Sequence, residues 1–172
     1  MKQIAVLLTV FNRKSQTLQC LENLFKQDIP EGYCIKVYLT DDGCTDGTPQ
    51  TVHEKFPDVK IIQGDGSLFW NRGMWTAWNA AAKEYDYDFY LWLNDDTDLR
   101  ENALLSLLES SERNSNNAIV VGSTVDSISH TQLTYGGRLS NGKIPLCNGK
   151  DVEIDHFNGN IVLIPQSVYK VL

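Results

Sequence analysis

Apolar and polar positions follow two rhythms along the chain. Ile4 to Val10 is a nearly continuous apolar run rich in β-branched residues, which predicts a strand. Leu18, Leu21, Leu24 and Phe25 then recur at helical spacing, with Ser15 placed to cap that helix and Pro30 and Gly32 ending the unit. Tyr33 to Thr40 (YCIKVYLT) reads as a second strand. Thr48-Pro49 opens a short helix, the hydroxyl as cap and the proline in the first turn. Val59 to Ile62 predicts a third strand, Met74 to Ala82 a helix and Asp88 to Leu93 (DFYLWL) a fourth strand. Glu101 to Arg113 predicts a helix with Leu104, Leu105 and Leu108 inward, and Ala118 to Val125 a fifth strand. Residues 126–160 lose this periodicity and are rich in Ser, Asn, Gly and Thr. Short strands and loops packed over the sheet edge are expected there. Ile161 to Ile164 is another strand, and Pro165 starts a helix in which the sequence stops at Leu172.

The order βαβαβαβαβ implies an α/β fold with a mainly parallel, Rossmann-like sheet flanked by helices and joined by right-handed crossovers. Ligands of such sheets bind at the carboxyl edge, so the loops after Val10, Thr40, Ile62 and Leu93 are the ones to read.

With 172 residues, 42% hydrophobic, the chain is long enough for one domain with a substantial core. Lys and Arg number 15 against 22 Asp and Glu, a net charge of −7, which argues against nucleic-acid binding through a broad basic face. No apolar run reaches the ~18 residues of a membrane helix. The opening MKQIAVLLTVFNRKS is read as a strand and not as a leader, since its apolar run is short and no small-residue cleavage site follows. Cys20, Cys34, Cys44 and Cys147 are scattered without a CxxC pair, so neither a zinc site nor a disulfide framework is expected. Reduced, mostly buried thiols in a cytoplasmic protein are the expectation.

Four loops carry chemistry. TDDGCTDGT (residues 40–48) sets Asp41 and Asp42 at a strand end, able to accept from a base N–H or ribose hydroxyls, with Gly43 and Gly47 permitting close backbone approach. A plain turn with Asp46 and Thr48 satisfying backbone donors is the bland alternative. LWLNDDTDL (residues 91–99) delivers Asn94, Asp95, Asp96 and Asp98 from an apolar strand. Adjacent carboxylates repel, and Mg2+ or Mn2+ at Asp96 is the expected compensation. Capping of the following helix by Asp96 or Asp98 is compatible with that role. QGDGSLFWNRGMWTAWN (residues 63–79) offers Arg72 to a phosphate and Trp70 to a sugar or base, whereas Trp75 and Trp78 at i, i+3 are expected in the core. TVFNR (residues 9–13) places Thr9, Phe11, Asn12 and Arg13 at the same edge. Together they describe a base-and-ribose pocket (Thr9, Phe11, Asp41 or Asp42), a cationic contact (Arg72) and a metal carboxylate (Asp96). A nucleotide diphosphate held through a divalent ion fits that set.

VLLTVFNRKSQTLQCLENL, VYLTDDGCTDGT, NRGMWTAWNAA and YLWLNDDTDL resemble family 2 glycosyltransferases of the GT-A fold, over about residues 3–170. The GDGSLFW-NRGMWTAWN stretch and the Asn at the head of Asn94-Asp95-Asp96 are rhamnosyltransferase-like. The resemblance implies residues 1–125 as a nucleotide-sugar-binding α/β region and 126–172 as a smaller, mixed acceptor-side region of the same domain. It also implies a longer parent protein, since the acidic motif that usually supplies the base lies beyond the matching segment. It assigns Asp41 and Asp42 to the base and ribose, Thr9, Phe11, Asn12, Arg13, Arg72 and Asp95 to further nucleotide contacts, and Asp96 to Mg2+ or Mn2+. A UDP- or dTDP-sugar would donate, by inversion, to a saccharide or lipid-linked saccharide hydroxyl, with surface polysaccharide synthesis as the setting. Peripheral membrane association of the full-length protein is compatible with such acceptors.

Asp155 is the remaining candidate base, with His156 a weaker one. Three rival readings stand beside this one. A magnesium phosphotransferase lacks its nucleophilic Asp at Thr9-Val10-Phe11-Asn12, and a nicotinamide dehydrogenase lacks its glycine fingerprint. A nucleotide-sugar or carbohydrate binding module without turnover is the alternative.

Overall fold

A computed structural model describes residues 1–146 and 148–171; Cys147, one of the four expected thiols, and Leu172, in the expected last helix, lie outside the described residues. Nine-residue β1 (Lys2–Val10) leads to α1 (Lys14–Phe25), β2 (Tyr33–Asp41), α2 (Thr48–Lys55), β3 (Lys60–Gln63), α3 (Phe69–Glu84), β4 (Phe89–Leu93) and α4 (Ala103–Arg113). β5 (Val120–Val121), β6 (Thr124–Val125), β7 (Leu133–Tyr135), β8 (Gly137–Arg138) and β9 (His156–Phe157) are short. β10 (Ile161–Pro165) and α5 (Gln166–Tyr169) follow.

The main sheet has the order β3-β2-β1-β4-β10-β5. β1 pairs in parallel with both β2 and β4, and β2 with β3. β10 is antiparallel to β4 and β5, so it begins at the edge where β4 ends, with Ile161 opposite Leu93. β6–β7 and β8–β9 form two small sheets of their own. The α/β class, the mainly parallel sheet and the mixed second region are as the pattern predicts.

β1 is apolar throughout because both faces are covered. Ile4, Val6, Leu8 and Val10 pack with Leu21, Leu24, Leu104, Leu107 and Leu108 of α1 and α4. Ala5 and Leu7 pack with Met74, Ala77 and Ala81 of α3 on the other face. Leu107, not Leu105, is the third inward leucine of α4.

Cap assignments differ more. Ser15 lies inside α1, which Arg13 caps without a side-chain bond. Thr48 is the first helical residue of α2, and its hydroxyl donates to Asp46 Oδ1 at 2.6 Å instead of capping. Neither Asp96 nor Asp98 caps α4; the oxygen of Gln27, at the end of the α1 unit, accepts from Leu104 N–H at 3.1 Å. α3 starts five residues earlier than its alanines indicate, because Asp42 receives its first N–H groups.

The expected fifth strand breaks into β5 and β6 at Gly122, where a Cβ would stand 2.6 Å from Ile161 Cγ2. Cys20, Cys34 and Cys44 are free thiols, with Cys20 buried and the other two half-buried. Among the described residues no helix is long and apolar enough to cross a membrane.

Candidate functional site

The ends of β1, β2 and β4 and the start of β10 meet at one sheet edge, and the predicted loops converge there. Thr9 and Thr40 lie paired beneath α3. Thr40 Oγ1 donates to Gly73 O at 2.9 Å, and a Cβ on Gly73 would stand 2.1 Å from Thr9 Oγ1. Glycine is needed there for close helix–sheet approach. Thr9 thus offers the edge no free side chain. Phe11 is exposed beyond the strand end. Asn12, at φ 51°, uses its side-chain oxygen to accept from Thr45 N–H at 2.7 Å, joining the first and second loops.

Asp41 and Asp42 are both buried. Asp41 Oδ1 accepts from Cys44 N–H at 2.8 Å, and its carbonyl accepts from Gly64 N–H at 2.7 Å. Asp42 accepts from the N–H groups of Gly66 (3.0 Å), Leu68 (3.0 Å) and Phe69 (2.9 Å). A carboxylate at a helix N-terminus satisfies orphan donors and opposes the macrodipole. Asp42 therefore sets the 64–68 loop and the start of α3. The adjacent pair divides its work, one carboxylate anchored by a single N–H and the other nearly saturated.

At the end of β4, Asp95 is buried and Asp96 exposed. Burial, the largest influence, pushes the Asp95 carboxyl up to about 6; Arg13 opposes this and Asp96 adds to it. The Arg13 guanidinium lies 2.6 Å from Asp96 Oδ2 and 3.4 Å from Asp95 Oδ1. Thr17 Oγ1 donates to Asp95 Oδ2 at 3.2 Å. Thr17 was not singled out from the sequence, although a polar residue on the buried face of α1, one turn beyond Arg13, was a usable signal.

This donor set fits Mg2+ or Mn2+. Two adjacent carboxylates already require a cation, and the guanidinium stands in for one. Such hard ions need only one or two protein carboxylates when phosphate oxygens and water complete the octahedron. Among the described residues no group of three or more His, Cys, Asp or Glu side chains gathers as a complete metal-binding set. A cavity of about 220 Å³ beside Asp96 and Asp98 is lined also by Ser15, Gln16 and Gln19. Asp98 itself accepts from Asn23 Nδ2 at 3.0 Å.

Arg72 lies exposed on α3, and its guanidinium donates to Ser67 O at 2.6 Å. Trp78 is packed among Tyr90, Trp92 and Tyr169, as expected of a core position. Trp75 is not in the core: it is 66% exposed and lines a cavity of about 420 Å³ with Ile62, Thr76, Asn79, Ala80 and Lys83, none of them a site residue. The i, i+3 spacing places it about 60° round the helix from Trp78, past the margin of the buried stripe. Asp155 and His156 are exposed, just before the start of β10. Asp155 N–H donates to Arg138 O at 2.9 Å.

The sequence model of glycosyl transferase family 2 matches residues 5–163. A poly-beta-1,6-N-acetyl-D-glucosamine synthase of Staphylococcus epidermidis is 26% identical over 121 residues, covering 69% of this chain and 28% of that protein. S. aureus TarS 1-349, in a crystal structure with UDP, superposes with a TM-score of 0.67 at 18% identity, covering 99% of this chain and 48% of TarS 1-349. The mannosyltransferase PcManGT of Pyrobaculum calidifontis, in complex with GDP-Man and Mn2+, gives 0.57 at 17% identity, covering 94% of this chain and 44% of the other. The chain thus spans less than half the length of these relatives. The structural likeness is one of GT-A fold, and the sequence match covers nearly all of the chain: it belongs to glycosyl transferase family 2.

Proposed function

We propose that this chain binds a nucleotide-diphosphate sugar, a UDP- or dTDP-sugar, at the edge formed by β1, β2 and β4, and transfers the sugar with inversion to an acceptor hydroxyl. The observation that carries the reading is the Arg13 guanidinium held between Asp95 and Asp96. A cation is already required at that point, and a metal–diphosphate pair satisfies the same carboxylates. Asp41, with its second carboxylate oxygen free of hydrogen bonds among the described residues, accepts from the base or ribose. Asp42 acts through the loop and helix it fixes.

Asp96 would hold Mg2+ or Mn2+, which when bound supplies charge stabilisation to the diphosphate leaving group. Arg13, released from Asp96, turns to the phosphates, and Arg72 adds a second cation once it leaves Ser67. Phe11 offers an exposed aromatic face to the base. Asn12 fixes the first loop against the second, and Thr9 seats α3. Asp155 takes the proton of the acceptor, a saccharide or lipid-linked saccharide entering from the 126–160 side. Cytoplasmic surface-polysaccharide assembly is the setting we propose, and the similarity to a poly-beta-1,6-N-acetyl-D-glucosamine synthase supports the polysaccharide part.

A thermal-shift panel of UDP- and dTDP-sugars with and without Mn2+ tests the reading. Ligands that bind only the folded state raise its apparent stability by mass action. A metal-dependent shift that Asp96→Ala removes is the expected result; an undiminished shift in that variant would refute the metal assignment. A second reading, donor binding without transfer, is favoured by the Asp155 carboxylate, which has no hydrogen-bond partner among the described residues. Tight donor binding with no transfer or hydrolysis would select it.

A further inference from the structure

Trp70 stands at the junction of α3, the end of β4 and the segment entering β10. Its indole Nε1–H donates to Asn94 Oδ1 at 2.7 Å. Its ring meets Trp92 edge to face, with centroids 5.9 Å apart. It also lies over Gly159, where a Cβ would stand 2.6 Å from its Cη2. The backbone closes the same junction, since Asn94 N–H donates to Asn160 O at 2.9 Å.

An indole N–H is a donor with no acceptor capacity. The Asn94 atom that meets it must be the carbonyl oxygen, so the partner's chemistry removes the usual ambiguity between amide oxygen and nitrogen. Asn94 Nδ2 is left with both hydrogens unpaired among the described residues, on a half-buried side chain beside Asp95. A nitrogen of this kind does not ligate a cation; it donates to oxygen, while Oδ1, with one of its two lone pairs taken, is turned toward the indole.

We infer that Trp70 is a positioning residue that makes Asn94 a hydrogen-bond donor, and that Asn94 Nδ2 binds an oxygen of the nucleotide sugar and not the metal. The inference rests on the donor-binding reading above. It also accounts for an amide at this position. An aspartate at 94 would accept from Trp70 equally well, but its second oxygen would add a third anion beside Asp95 and Asp96, which share one guanidinium.

The test uses Trp70→Phe, Asn94→Ala, their double variant and Asn94→Asp. Phenylalanine keeps an aromatic ring against Trp92 and Gly159 while removing the N–H. Mn2+ affinity is read on the nucleotide-free protein by electron paramagnetic resonance. Donor affinity is read by calorimetry with UDP, dTDP and their sugars. Trp70→Phe and Asn94→Ala should each leave Mn2+ affinity within about twofold and weaken donor binding about 5- to 20-fold, the scale of one lost hydrogen bond. The double variant should bind the donor no more weakly than Asn94→Ala alone, because Trp70 acts through Asn94. Asn94→Asp should tighten Mn2+.

Weakening that appears with UDP or dTDP alone assigns the contact to the nucleotide, and weakening seen only with the nucleotide sugars assigns it to the transferred sugar. Loss of Mn2+ affinity in Asn94→Ala, additive effects in the double variant, or unchanged donor binding would each overturn the inference. A wild-type chain that binds no donor overturns the donor reading instead. In that event the Trp70 indole resonance of the ligand-free protein, expected to move in Asn94→Ala, still tests the orientation; an unmoved resonance refutes it.

Discussion

The two carboxylates at the end of β2 and the Asp155 carboxylate before β10 are held by different means. Asp42 is buried and takes N–H groups from three residues on another segment. Asp155 is exposed and, among the described residues, anchored only through its own backbone N–H. The same contrast runs through their regions. Residues 1–121 together with β10 build a continuous sheet covered on both faces, whereas 124–157 form two-stranded ribbons and turns. On the proposed reading, the donor side is organised by contacts across the fold, and the acceptor side largely by local turns such as the one Asp126 closes. Rigid preorganisation suits a diphosphate site, where charge must be met without rearrangement. A loosely tied rim suits acceptors of varied size.

The contrast is broken most forcefully at Asp42. Asp42→Ala should destabilise the fold by about 3 kcal/mol, since several charge-assisted, part-buried bonds are lost together, and denaturant unfolding would show it. An effect under about 1 kcal/mol would mean that the loop and α3 hold themselves.

The pH dependence of the two regions should run in opposite directions. Asp95 titrates near 6 in the folded protein, above its unfolded value of 3.8, so the native state binds that proton more tightly. Its contribution to stability is present at low pH and disappears as pH rises from about 4 to about 6. In EDTA, Asp95→Asn should therefore gain on the wild type by up to about 2–3 kcal/mol between pH 4 and pH 8, read from paired denaturation curves. Asp151 is held down to about 2, first by Arg113, with Ser110 and Asn114 also donating to it. Its stabilisation is present above about pH 4 and is lost as pH falls through about 2. Because this pair is well exposed, its share should stay under about 1 kcal/mol, visible as earlier amide exchange in the second region on acidification.

Gly73→Ala should cost about 2 kcal/mol, because the new methyl meets Thr9 and α3 must lift from the sheet. The same variant should weaken donor binding more than its stability loss explains. At the small end, Asp155→Ala should change stability by less than about 0.5 kcal/mol while lowering transfer at least 100-fold. A large stability loss there would erase the distinction between the two halves.

The succession of strands and helices along the chain and the loops at the sheet edge were legible because they rest on local pattern: apolar runs, helical spacing, glycine and proline punctuation. What escaped were contacts made across the fold. Asp42 starting α3 and Gln27 capping α4 join residues 27 and 77 positions apart, and no local capping rule finds them. Ser15 and Thr48 were drawn into capping roles by residue type alone, while Arg13 and Gly47 hold the cap positions without side-chain bonds. Trp75 followed a helical spacing that does not settle which flank of the stripe is covered. At the site, the acidic residues announced themselves, but Thr17 and the Trp70–Asn94 bond needed three-dimensional neighbours to become visible.

The strand order has a further consequence, for biosynthesis. β10, made after every other strand, docks between β4 and β5 in the body of the sheet. Until residue 165 has left the ribosome, β4 presents an unpaired margin of Phe, Tyr, Leu, Trp and Leu. Open apolar margins of that kind invite association with other chains. The nascent chain therefore has its greatest need of chaperone protection between the completion of β4 and the arrival of Ile161.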